Sequence, residues 1–157
     1  TDYWPLPKLV DRLGLRRLQT GFRVRADVVL KSTRRLNTIA ETFRRTGGVH
    51  VAALYAVGGK LVSHAEDVGR HNAADKVIGS CALRRRDLSK CFLASSGRLT
   101  GDIVLKAARM KIPVVSSLAA ATDSGIEVAK RTGVTLVGFV RGQRMNVFAF
   151  PERIIIE

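Results

Sequence analysis

From residue 50 onward, short apolar runs of strand length alternate with segments whose apolar residues recur at helical spacing. Glycine or hydroxyl residues mark the joints between them. That alternation leaves few folds open, because a strand that returns to its sheet through a helix does so by a right-handed crossover. A hairpin comes first: residues 50–57 and 60–64 are apolar-rich runs on either side of Gly58 and Gly59, which supply the positive φ of a tight turn. A helix over 69–79 follows, with Ala73, Ala74, Val77 and Ile78 at helical spacing, and then a charged connector over 83–90. Further strands are predicted over 91–94, 112–118, 134–140 and 145–150, with helices over 100–110 and 124–131, the second stopped by Gly133. The predicted architecture is a three-layer α/β/α domain with a mixed, mostly parallel sheet.

Upstream of the hairpin, apolar residues Val29, Leu36, Ile39, Ala40 and Phe43 predict one amphipathic helix over 27–45, with Asp27 able to cap it and Gly47 and Gly48 ending it. Residues 1–24 hold Pro5, Pro7, Gly14 and Gly21 without a sustained period and read as an irregular lead-in; residues 25–157 read as a single α/β domain. Charge enters here. The chain carries 27 Lys+Arg against 13 Asp+Glu, a formal +14, so its field attracts anions and a phosphate-rich partner is the first expectation. The excess leans toward the N-terminal third, where Lys31, Arg34, Arg35, Arg44 and Arg45 occupy the outer face of the predicted helix. They read as a solvated face before they read as a nucleic-acid stripe. Six Phe, two Tyr and one Trp, with no RNA-binding signature, support a basic nucleic-acid-binding module poorly. The longest run without Asp, Glu, Lys or Arg, 46–59, is too short to cross a bilayer, and no membrane partner is expected.

Polar residues gather at the predicted strand-to-helix joints, where helix N-termini face a ligand in open sheets. Glu66, Asp67, Arg70, His71 and Asn72 form the densest group; Ser95, Ser96, Gly97 and Arg98 form a second; Thr122, Asp123 and Ser124 a third. With His50 at the start of the hairpin, they outline a candidate pocket. The plainer alternative is that Asp67 caps its helix, His71 is a half-buried residue, and the other two are capped turns. No Walker lysine loop, GxGxxG or GxSxG occurs. The element order is similar to that of nucleoside deaminases, but His71 is followed by Asn72 and Ala73 and no PCxxC opens the next helix, so neither a metal site nor zinc-dependent deamination is expected. Cys81 and Cys91, ten positions apart, form no CxxC and read as structural cysteines of a reducing cytoplasm.

Four segments together carry a resemblance. TGGVHVAAL over 46–54, EDVGRHNAADK over 66–76, SSLAAAT over 116–122 and LVGFVRGQR over 136–144 closely resemble the FdhD family of formate dehydrogenase accessory sulfurtransferases, in motif order and spacing. The resemblance implies a cytidine-deaminase-like domain, a homodimer, and binding of the molybdenum cofactor in its Mo-bis(molybdopterin guanine dinucleotide) form, with GDP as a surrogate ligand. It also implies a cysteine desulfurase as sulfur donor and the formate dehydrogenase catalytic subunit as recipient. The cofactor-associated segment of the family matches Phe139, Val140, Arg141, Gly142, Gln143 and Arg144. Two arginines around a glycine suit close approach to phosphate oxygens, while the alternative is a charged turn between the last two strands. Family members carry sulfur on a CxxC that this sequence lacks, so no catalytic residue is assigned in the chain. The expectation is a C-terminal part that binds cofactor without carrying sulfur, or else a cofactor chaperone that has lost the sulfur step.

Overall fold

The computed structural model describes residues 6–40 and 45–156. Its main sheet has six strands: β2 (His50–Ala56), β3 (Leu61–Asp67), β4 (Cys91–Ser95), β5 (Val114–Ser117), β6 (Thr135–Arg141) and β7 (Arg144–Ala149), in the order β3-β2-β4-β5-β6-β7. The central pairs β4–β5 and β5–β6 are parallel, and antiparallel pairs flank them on both sides. The sheet is therefore mixed, with its parallel part at the centre, where crossover helices cover it. Consistent with that position, every residue of β4 and β5 is buried, so these strands read as continuous apolar or small-residue runs.

Helices α4 (Arg70–Leu83), α5 (Gly101–Arg109) and α6 (Asp123–Thr132) cover one face, burying Val77, Ile103, Val104 and Val128 against Leu54, Leu93 and Leu136. On the opposite face α2 (Ala26–Arg34) and α3 (Leu36–Ile39) bury Val29 and Leu36 against Tyr55, Phe92, Val114 and Val137, with the Tyr55 and Phe92 rings stacked at 5.5 Å. Each such side chain contributes about 1.5–3 kcal/mol on leaving water. The result is the expected α/β/α sandwich.

The N-terminal region differs from the expectation in two ways. The lead-in contains α1 (Leu6–Arg12), whose Val10 is buried and whose Asp11 pairs with Arg131 of α6 at 3.3 Å. Pro7 lies in the first turn, where the missing N–H removes no helical bond, so a proline that suggested irregular chain sits at the start of a helix instead. The single helix expected over 27–45 is interrupted after Arg34, and Ala40 is extended. Thr38 Oγ1 donates to the Arg35 carbonyl at 2.9 Å, a local bond of the kind that competes with helix propagation. The remainder of that expectation, 41–44, lies outside the described residues.

A second, two-stranded sheet pairs β1 (Val24–Arg25) with β8 (Ile154–Ile155) in parallel. Arg153 anchors this corner. Its buried guanidinium donates to the carbonyls of Leu18 and Pro113 at 3.2 Å, to the Gly133 carbonyl, and to Thr135 Oγ1. Gly133 closes α6 at φ 83°, and a Cβ there would meet the Leu18 backbone at 2.8 Å, so the stop glycine is also the packing site for the lead-in.

Candidate functional site

The joints expected to hold a pocket all lie along the edge of the sheet that carries the ends of β3, β4 and β5. His50, opening β2, pairs with Asp67, closing β3. Ser96 connects β4 to the same place: its Oγ accepts from Val51 N at 2.9 Å and lies 3.1 Å from His50 Nδ1. Ser95 Oγ accepts from Gly97 N at 3.1 Å, while Ser117 Oγ donates to the Gly97 carbonyl at 2.5 Å. Arg70 lies directly over Gly97, where a Cβ would stand 2.7 Å from the Arg70 Cβ, so glycine is required for this approach. Arg70 Nε and Thr100 Oγ1 are buried here without a hydrogen-bond partner among the described residues.

Most polar side chains of this edge are committed internally. Asp67 accepts from Gly69 N at 3.0 Å and from Asn72 Nδ2 at 3.3 Å, and pairs with Lys76 at 2.8 Å. The Lys76 contact, foremost, lowers its carboxyl to about 2. Thr122 caps α6 by accepting from Gly125 N at 3.1 Å. Burial first, and Arg70 next, lower the pKa of both His50 and His71 and favour neutral rings. His71 lines a cavity of about 370 Å³ with Asp102, Leu105, Lys106 and Arg109, on the α4–α5 side. His50, Ser95, Ser96 and Arg70 are thus brought together, Asp67 and Asn72 join as neighbours, and His71 and Thr122 serve adjoining structures.

The β6–β7 hairpin is built differently. Between the pairs Gly138↔Asn146 and Arg141↔Arg144, β6 carries one extra residue, a β-bulge. At the bulge Phe139 takes φ 54°, a conformation that costs an aromatic residue about 1–3 kcal/mol. The irregularity leaves Phe139 48% exposed and turns Val140, 2% exposed, into the core. Phe139 N donates to the Ala119 carbonyl at 2.9 Å, tying the bulge to the turn after β5. Gly142, at φ 60°, opens a two-residue turn that leaves Arg141 and Arg144 exposed.

Beside this hairpin, a cavity of about 570 Å³ is lined by Gln143, Arg144, Met145 and Asn146 together with Ala26, Asp27, Leu30 and Ile156. Asp27 accepts from Arg25 Nε at 2.9 Å, and that bond is the main cause that keeps its carboxyl below the ordinary range. Arg34 donates to the Gly142 carbonyl at 3.4 Å, joining α2 to the turn itself. Asp27, Arg34 and Asn146 are residues that the sequence did not single out for a site.

With this geometry in place, the sequence model of the FdhD/NarQ family matches residues 7–155. The chain belongs to the FdhD/NarQ family. Similar proteins include the sulfur carrier protein FdhD of Methanothermobacter thermautotrophicus, 45% identical over 138 residues covering 88% of this chain and 55% of the relative. The sulfur carrier protein FdhD of Sulfolobus acidocaldarius is 44% identical, covering 87% of this chain and 54% of the relative. The chain therefore spans about half the length of these curated FdhD relatives. A crystal structure assigned as a formate dehydrogenase accessory protein of Desulfotalea psychrophila superposes with a TM-score of 0.81 at 38% identity, covering 90% of this chain and 60% of the other. Guanine deaminase of Nitrosomonas europaea shares only the fold, with a TM-score of 0.58 at 12% identity, covering 88% of this chain and 87% of the other.

Membership in FdhD/NarQ sharpens the question of sulfur chemistry. Cys81, within α4, and Cys91, opening β4, are both buried free thiols. Burial pushes the Cys91 thiol up, away from the thiolate that nucleophilic sulfur chemistry uses. Among the described residues no cluster of His, Cys, Asp and Glu could hold a metal ion, and no helix is long and apolar enough to cross a membrane.

Proposed function

We infer that this chain supplies the cofactor-binding part of an FdhD-type sulfur carrier. The ligand is Mo-bis(molybdopterin guanine dinucleotide), and its guanine nucleotide portion lies against the β6–β7 hairpin and α2. The observation carrying this reading is the cavity in which Asp27 and Asn146 meet Gln143 and Arg144. A guanine presents two donors, the N1–H and the N2 amino group, beside the O6 acceptor. An ionised Asp27 accepts both donors, an Asn146 or Gln143 amide donates to O6, and Arg141 and Arg144 meet phosphate oxygens. The residues present fit that portion of the group.

When bound, the cofactor supplies the metal and dithiolene sulfur on which formate dehydrogenase depends. This chain's residues hold and orient it. Arg34 fixes the turn through Gly142, and the bulge at Phe139 presents an aromatic ring at the hairpin surface. Sulfur transfer from a cysteine desulfurase, delivery to the formate dehydrogenase catalytic subunit and pairing with a second copy belong to the whole protein's activity. Neither Cys81 nor Cys91 is placed to carry the sulfur.

Calorimetric titration with GDP, ADP and short DNA tests this reading. GDP is expected to bind at least about tenfold more tightly than ADP, as a pair of charge-assisted hydrogen bonds to guanine implies. Asp27→Asn is expected to narrow that ratio. Equal affinity for GDP and ADP, or DNA affinity with a steep salt dependence and no guanine preference, would overturn it.

A further inference from the structure

A second depression, of about 460 Å³, lies along α2 and α3, lined by Lys31, Arg34, Arg35, Asn37 and Thr38. Its three cations stand at i, i+3 and i+4, the spacing that places side chains side by side on one helical face. Like charges at that spacing repel, and among the described residues no carboxylate lines the depression to offset them. Asp27, one turn before Lys31, is bonded to Arg25 and lines the other cavity.

The two guanidinium groups are held in place by neutral partners. Arg34 donates to the Gly142 carbonyl at 3.4 Å, in the β6–β7 turn. Arg35 donates to the Gly59 carbonyl at 3.3 Å, in the β2–β3 turn, and its guanidinium carbon sits 5.7 Å from the centre of the Tyr55 ring. Neither is in an ion pair with a carboxylate among the described residues. A guanidinium carries five N–H donors, and a single carbonyl contact engages one. Placement in the last turn of α2 gives Lys31 and Arg34 a favourable interaction with the helix dipole, about 0.3–1 kcal/mol each. That accounts for cations at a helix end but not for their arrangement around a concavity, nor for two heads steadied by turns of two different hairpins.

We propose that this depression is a phosphate-binding site, taking the diphosphate of a nucleotide ester or free pyrophosphate. Lys31, Arg34 and Arg35 supply the charge, with the Asn37 side-chain amide as a neutral donor. A planar guanidinium engages two phosphate oxygens at once, and Lys31 adds a mobile point charge. Because Arg34 also contacts the turn that carries Arg141 and Arg144, the depression adjoins the hairpin site. Assignment of a nucleotide as the source of the diphosphate rests on the function proposed above; the phosphate chemistry does not.

The test is calorimetric titration of the whole chain with inorganic pyrophosphate, GDP, ADP and guanosine. Three proteins are compared: the unchanged chain, Lys31→Gln/Arg35→Gln and Arg141→Ala/Arg144→Ala. The α2 variant is expected to bind pyrophosphate about tenfold or more weakly and to show a shallower salt dependence, with guanosine affinity unchanged. The hairpin variant, whose arginines meet phosphate oxygens from the other side, is expected to lose GDP affinity and to weaken pyrophosphate binding less than the α2 variant does. Pyrophosphate affinity that survives Lys31→Gln/Arg35→Gln, or is undetectable in the unchanged chain, overturns the site. If pyrophosphate is lost from the α2 variant while GDP binds no more tightly than ADP anywhere, the site stands and the guanine-nucleotide reading falls. Thermal melting checks the fold of each variant. Lys31→Gln alone, changing one exposed side chain, is expected to lower pyrophosphate affinity about threefold and serves if the double variant does not fold.

Discussion

The strand-end joints and the β6–β7 hairpin both put polar residues on the same edge of the sheet, yet they use them differently. At the joints the hydroxyls of Ser95, Ser96, Ser117 and Thr122 and the carboxylate of Asp67 bond to nearby backbone, so their chemistry is spent on holding turns. At the hairpin and α2, arginines and a carboxylate border open cavities, and the guanidinium groups keep unused donors. The difference teaches that polarity in a sequence does not separate architecture from recognition. What separates them is whether the hydrogen-bonding capacity is already filled.

That comparison breaks most easily at Gly125. A Cβ there would stand 2.2 Å from the Leu99 carbonyl oxygen, which α6 needs close by. Gly125→Ala is expected to cost about 3 kcal/mol in urea unfolding, with GDP affinity of the folded protein unchanged. Arg141→Ala/Arg144→Ala should do the reverse. GDP affinity is expected to fall tenfold to hundredfold, about 1.4–2.8 kcal/mol, with the urea midpoint unmoved. Ser96→Ala removes the acceptor of Val51 N and is expected to cost about 1–2 kcal/mol of stability and no GDP affinity.

The smallest effect is on pH dependence. Because burial lowers the folded pKa of His50 and His71 below 6.5, the unfolded chain binds protons first, and stability is lost as pH falls below about 6.5. Asp67, lowered to about 2 from 3.8, adds stability that is present above about pH 4 and lost as pH falls toward 2. Urea midpoints between pH 7.5 and 5.5 should therefore fall less steeply in His50→Gln, while Asp67→Asn flattens only the more acidic limb.

Much of the fold was legible because its signals are local. Alternating apolar runs with glycine or hydroxyl joints specify the strands and crossover helices from residue 50 onward, and Gly133 marks its helix end as expected. The N-terminal features were not, because what fixes them is distant in sequence. Helix α1 depends on docking against α6, and the strands of the second sheet have only two residues each, too few to show a period. Of the candidate site, the hairpin was legible through its resemblance to FdhD, and the joints through their small and hydroxyl residues. Asp27 and Arg34 were not, since Arg34 meets Gly142 across 108 positions. Their helical period alone reads as a solvated face, and only the fold turns part of that face into a cavity wall.

The most direct test of the comparison is amide chemical-shift mapping of the isotope-labelled chain during GDP titration. Shifts are predicted to concentrate at 26–35 and 139–146, with little change at 67–72 and 95–98. Shifts concentrated at His50, Arg70 and Ser96, with the hairpin unaffected, would contradict the account and place recognition at the strand-end joints.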